Sequence, residues 1–514
     1  MLELVAIPSI TGSQGKEEEC AKFFLQRISR SDYFIRNKND LHFIRLKNDH
    51  LKRHFIAALL RAKNQTKKTI ILTGHYDVVD VDDFGNLRGW AFNPPEYTIR
   101  LGEQELEDDV RADLESGNYI FGRGVSDMKS GLAMAYCFFE DYIASADELD
   151  FNVIFLAVPD EEADSGGMRG AAAFLSGLKE NEGFDFVLCL NFEPVFDIGA
   201  PSIYYGSIGM NTQLYLCVGK ESHVAEYYNG LNSTLIASYL NISLEGKKET
   251  IETYSGETFQ PLCCLHMRDT RDLYTVTLPE RSVLYFNSLT VEKLPKAMLE
   301  EMKIKAMAAL KAALAHVGID TQEARVLTVQ EVIDNAINII GKENLYAKHP
   351  YRKNDERDKN IEFLYRALDI AVEKGPLVVV GFLPPFYPPR VNRGITKSEK
   401  AIRYAASLAA KEIKSKGFDF NEIEVFQGIT DNSYTGFQAD RSELDTLKAN
   451  IPLWGRNYDL PLDDLQKLDI PCVIFGPLGK DAHKHTERVE LNYSFNVLPF
   501  VLKDFIAAVV KQPV

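Results

Sequence analysis

The chain has 514 residues, 45% of them hydrophobic and 26% charged, with a formal net charge of −16. This is the composition of an ordinary globular protein with too much chain for one simple core, so two to four units are expected. The acidic balance argues against a general affinity for nucleic acid or anionic membrane, and no apolar run approaches the ~20 residues that span a bilayer. The seven cysteines sit mostly inside apolar runs. They read as reduced, buried thiols, and a cytoplasmic location is the expectation.

In chain order, Leu2 to Arg30 predicts helix on both sides of an Ile7-Pro8-Ser9 break. Residues 31–68 are mixed and charged, without a clear period. Short apolar runs of β type follow, each ending in a polar cluster. TIILT (69–73) runs into Gly74-His75-Tyr76-Asp77, NVIFLAV (152–158) into Pro159-Asp160-Glu161-Glu162, and FDFVLCLNF (184–192) into Glu193-Pro194. PCVIF (471–475) precedes His483. Helical spacing over Met128–Tyr142 and Met168–Leu178 alternates with these runs. Apolar strands alternating with helices predict an α/β fold, a mostly parallel sheet flanked by helices, whose ligands gather at the carboxyl ends of the strands.

The middle of the chain differs. Ile208–Val218 and Val283–Val291 alternate like antiparallel strands, and long helical patterns follow at Lys296–His316, Val329–Ile340 and Ile361–Glu373. The α/β rhythm returns from Thr396. The expectation is one domain built from 1–207 and 394–514, with an α+β domain, 208–393, inserted into it.

Seven polar residues fall at the predicted strand ends or in the turn before the first helix: His75, Asp77, Asp127, Glu161, Glu162, Glu193 and His483. Imidazole and carboxylate donors without thiolate suit zinc, manganese or cobalt. Two ions ~3.5–4 Å apart need an anion between them, and Asp127 is placed to supply it. Asp127 reads equally as an N-cap of the helix behind it. His75 and Asp77, two apart on an extended segment, point the same way, so Asp77 can hold the second imidazole nitrogen. Glu161 and Glu162 diverge, which leaves one as ligand and the other as general base.

The motifs GHYDVV (74–79), GRGVSDMKSG (122–131), PDEE…SGGMRG (159–170), NFEP (191–194) and GPLGKDAHKHTERV (476–489) resemble, in order, those of the M20 family of di-zinc peptidases and deacylases. FQGITDNSY (426–434) and PLWGRNYDLPL (452–462) are similar to its RocB-type arginine-utilisation branch. The resemblance implies a catalytic domain with an inserted lid and a two-metal site. Asp127 would bridge, His75 and Glu193 would hold one ion, and Glu162 and His483 the other. Asp77 would orient His75, Glu161 would be the general base, and His223 of the lid would stabilise the oxyanion. It also implies a cis bond at Asp127–Met128. His483 is preferred to His485 because Glu487 lies four residues after it.

There are departures. Val79 stands where the family usually has proline, and Leu289 stands near the place of a substrate-carboxylate arginine. Arg281, Arg390 or Arg393 would then substitute, and Asp431 of the QGITD loop is a second candidate for the substrate pocket. The lid is also larger than is common, and either covers the site within one chain or mediates a different dimer. The expected activity is hydrolysis of an amide bond in a small peptide or N-acyl amino acid, within arginine or amino-acid catabolism. The alternative is a metal-binding homologue that has lost catalysis and serves a regulatory role.

Overall fold

The structure is a computed structural model, and it describes residues 1–196, 199–271, 273–347, 351–352 and 355–511. The chain divides into two compact units, the first comprising 1–207, 390–437 and 463–514, the second 208–389 and 438–462. The 438–462 segment, expected from sequence in the first unit, joins the second. Asn450 and Leu453 account for this: the Asn450 carbonyl accepts from Phe382 N, and Leu453 is buried in the second unit's core.

The first unit is organised by an eight-stranded sheet. Its order is Leu41–Arg45, His54–Leu60, Asn152–Val158, Lys68–His75, Asp185–Asn191, Cys472–Ile474, Ser202–Tyr204 and Asn421–Ile423. The four strands from Asn152–Val158 to Cys472–Ile474 run parallel. They are the four apolar runs of the sequence, buried on both faces as a helix-covered parallel sheet requires. The first two strands pair antiparallel, and His54–Leu60 joins antiparallel to Asn152–Val158. These two strands lie in the stretch that showed no period. The sequence HFIAALL is rich in helix formers, and sheet pairing overrides that preference.

Helices Lys16–Ile28 and Lys129–Ala144 pack on the sheet through one core that includes Phe24, Leu132, Phe139 and Phe155. Among the described residues one helix, Tyr493–Lys511, is long and apolar enough to cross a membrane. Its Leu498, Val501, Leu502, Phe505 and Ile506 are instead buried in this same core.

The second unit holds a five-stranded sheet in the order Cys263–Asp269, Arg281–Thr290, Gly209–Val218, Leu377–Tyr387, Arg325–Thr328. It is antiparallel except for the last pair. Leu214, Leu216 and Val218 alternate along one face and pack with Val332, Leu364 and Leu368 of helices Val329–Ile340 and Glu356–Ala371. On the other face Asn211 donates to the Met298 thioether of helix Pro295–Val317.

Candidate active site

The parallel strands deliver their terminal residues to one edge. His75 closes Lys68–His75, and Thr73 on that strand is in register with Asn191, two residues before Glu193. Glu161 and Glu162 follow Asn152–Val158. His483 comes from the turn between strands Leu478–Lys480 and Arg488–Glu490, and Asp127 from the turn before helix Lys129–Ala144. The Asp127–Met128 peptide is cis, as the resemblance implied.

Asp127 stands between two imidazoles. Its Oδ1 is 3.1 Å from His75 Nε2, and its Oδ2 is 3.2 Å from His483 Nε2. Glu193 Oε1 lies 3.4 Å from the same His75 nitrogen, and Glu161 Oε2 lies 3.8 Å from it. Glu162 Oε2 is 3.1 Å from His483 Nε2, while its other oxygen is buried without a hydrogen-bond partner. Donor atoms of His75, Asp127 and Glu162 all fall within 4.8 Å of one another. The N-cap position of the helix behind it is Met128, one residue after Asp127.

Asp77 does more than one task. His75 Nδ1 is 3.0 Å from the Asp77 carbonyl and 3.5 Å from its carboxylate, so the backbone oxygen is the nearer acceptor. The carboxylate accepts instead from Glu161 N and Glu162 N, both at 3.1 Å, and from the Thr11 hydroxyl at 2.9 Å. Asp77 thus aims the imidazole through its backbone and the two glutamates through its side chain. Thr11 was not singled out from sequence, because its partner lies 66 positions away.

Charge in this cluster is unbalanced. Burial raises Glu161 well above the usual carboxylate range, His75 opposing and Glu193 reinforcing. Burial likewise pushes Glu193 up to about 7 against the pull of His75. Burial also disfavours a charged His75, yet Glu193, Asp127 and Asp77 together raise it well above its usual value. Hydrogen bonds to the Asp127 and Glu162 carboxylates push His483 up to about 10. Carboxylates packed this way need positive charge among them. The oxygen and imidazole donors, the shared Asp127 and the unpartnered Glu162 oxygen all fit divalent cations.

A family model described as peptidase family M20/M25/M40 matches residues 71–442. The chain belongs to peptidase family M20/M25/M40. It is a hydrolase of the M20 type. YqjN of Bacillus subtilis (strain 168), described as uncharacterised, is 32% identical over 537 residues, covering 100% of this chain and 96% of that relative. RocB of the same organism is 27% identical, covering 97% of this chain and 92% of its own length. A tripeptidase from Staphylococcus aureus shares the M20 fold at a TM-score of 0.51 and 15% identity, covering 99% of this chain and 97% of that one.

Asp431 joins this edge. It is buried, and burial pushes it up to about 8, His75 and the Ser165 side chain opposing and Glu193 and Asp77 adding to the rise. His223 and Arg281 belong to the second unit. His223 is exposed, and its Nδ1 accepts the Ala225 amide at 3.2 Å. The Arg281 guanidinium pairs with Asp369 and lies 5.7 Å from the Tyr365 ring centre. Arg390 is also committed, fully buried with Glu399 and Asp469 as ion partners. His485 is exposed, and its carbonyl accepts from Tyr97.

Proposed function

We propose that the chain is a two-metal amide hydrolase acting on a small peptide or N-acyl amino acid. The observation that carries this is one carboxylate, Asp127, with an imidazole on each oxygen. The first unit is then the catalytic domain and the second the lid. His75 and Glu193 would hold one ion, Glu162 and His483 the other, and Asp127 both. Zinc is proposed, and manganese or cobalt suits the same donors. When bound, such ions lower the pKa of water and polarise a carbonyl.

The chain's own residues supply the rest. Glu161, its amide held by Asp77, takes a proton from the attacking water and passes it to the leaving amine. Its raised proton affinity suits both halves of that transfer. At His223 the Ala225 N–H occupies Nδ1, which leaves the ring proton on Nε2. That N–H is the proposed donor to the tetrahedral oxyanion.

For substrate choice, the buried Asp431 carboxylate, which no cation among the described residues balances in an ion pair, supports a cationic group, the guanidinium of arginine or the ammonium of ornithine. That assignment agrees with a cytoplasmic role in amino-acid catabolism. The test is a screen for amine release from N-acyl and dipeptide substrates of arginine and ornithine, other residues serving as controls, with enzyme reconstituted in zinc, manganese or cobalt. Turnover that disappears with chelator and returns with metal is expected. No turnover with any of the three ions would sink the reading.

A further inference from the structure

We infer that the buried ion pair Arg123–Glu487 is a positioning device for the metal position served by Glu162 and His483. The inference rests on the metal-centre reading above. Neither residue faces a substrate: their side chains are 1% and 0% exposed, and Arg123 Nη1 donates to Glu487 Oε2 at 2.7 Å.

What the pair touches gives it this role. Glu487 Oε1 accepts from Ser126 N at 3.0 Å and from Asp127 N at 3.1 Å, so it holds the backbone from which the shared carboxylate projects. Arg123 Nη2 donates to the His483 carbonyl at 3.2 Å, and Arg123 Nε donates to the Asp80 carbonyl at 3.0 Å. One ion pair therefore ties the Asp127 turn to the His483 turn. His483 has φ 67°, a left-handed conformation that a non-glycine residue keeps only when its surroundings impose it. The Arg123 bond to its carbonyl is one such constraint.

The other metal position has different support. His75 closes one strand and Glu193 follows its paired neighbour, with Thr73 in register with Asn191, so these two ligands owe their placement to the sheet; only Asp127, common to both positions, is tied to Glu487. Weakening the Arg123 bond to the His483 carbonyl should separate the two positions, whereas the Glu487 bond to the Asp127 amide bears on both. A pair that served only general stability would affect both alike.

The experiment titrates Co²⁺ into metal-free full-length protein, by calorimetry and by the visible spectrum, for wild type, Glu487→Gln and Arg123→Lys, with His483→Ala as reference. Wild type should take two ions per chain. Arg123→Lys should keep one ion at near wild-type affinity and bind the second at least about 10-fold more weakly, with the spectrum of His483→Ala, while Glu487→Gln should weaken both ions, the second more than the first. The thermal midpoint of the metal-free variants, set against that of His483→Ala, reports the fold separately. If Glu487→Gln does not fold, Arg123→Lys, which keeps the charge, carries the same measurement. Two ions at wild-type affinity in both variants, equal loss of both ions in Arg123→Lys, or failure of both variants to fold would overturn the inference. A wild type that binds no Co²⁺ would instead remove the metal-centre reading itself, and the inference with it.

Discussion

His75 Nε2 and Asp127 Oδ1 meet at 3.1 Å on a side of the imidazole that is sealed from solvent. With its Nδ1 3.0 Å from the Asp77 carbonyl, a neutral His75 directs the Nε2 lone pair at a carboxylate, which is favourable only with a cation between them. Asp127→Asn keeps the shape and removes the charge. Metal affinity at both positions should fall by more than about 100-fold, beyond what loss of an outer-shell partner causes. Metal analysis after dialysis is the measurement. Unchanged content would mean that Asp127 does not serve as the bridge.

Glu161→Gln separates catalysis from binding. The ligand set is untouched and Asp77 still holds the Glu161 amide. Turnover should drop about 10²–10⁴-fold with two metals retained. Full activity on an identified substrate would contradict the general-base assignment.

Glu17 offers a pH test away from the metal ligands. It is buried beside Arg53 and accepts from the Gly12 amide. Burial, aided by Asp77 and opposed by Arg53, pushes it from 4.5 up to about 8. Between those values the folded chain keeps a proton that the unfolded chain has released, so this residue's contribution to stability falls as pH rises through that window. Glu17→Gln removes the penalty. Chemical denaturation at pH 5 and pH 8 should show the variant gaining on wild type at the higher pH, by something on the order of 2–4 kcal/mol. An equal gap at both pH values would rule out the mechanism.

Arg281→Ala tests whether this residue serves the substrate or only its ion pair with Asp369. Its ion pair with Asp369 is partly solvated, since the aspartate side chain is 63% exposed. Stability should change by no more than about 1 kcal/mol, and KM for any carboxylate-bearing substrate should stay within about 2-fold. A KM rise of 10-fold or more would return Arg281 to the substrate site.

Much of the site was legible from sequence because its residues sit where local patterns end. A run of β type terminating in His75-Tyr76-Asp77 or Asp160-Glu161-Glu162 announces both the strand and the edge at which its polar residues emerge. Helix Val329–Ile340 was readable from its apolar stripe alone, and Thr328 and Glu331 close it with a capping box. His54–Leu60 was not readable, since what makes it a strand is a pairing partner, Asn152–Val158, nearly a hundred residues on.

By itself, then, the sequence determined the α/β class, the four parallel strands and the residues that reach their carboxyl edge. All of these follow from short-range periodicity. Only the tertiary structure decided that segment 438–462 belongs with the second unit, that Asp77 serves two glutamates besides His75, and that Arg281 is committed to Asp369. It also decided that Arg123 and Glu487 join the turns of Asp127 and His483. These are long-range choices, apolar for Leu453 and polar or ionic for the others. A buried charge must find its counter-charge somewhere in the fold, and no local pattern specifies which one.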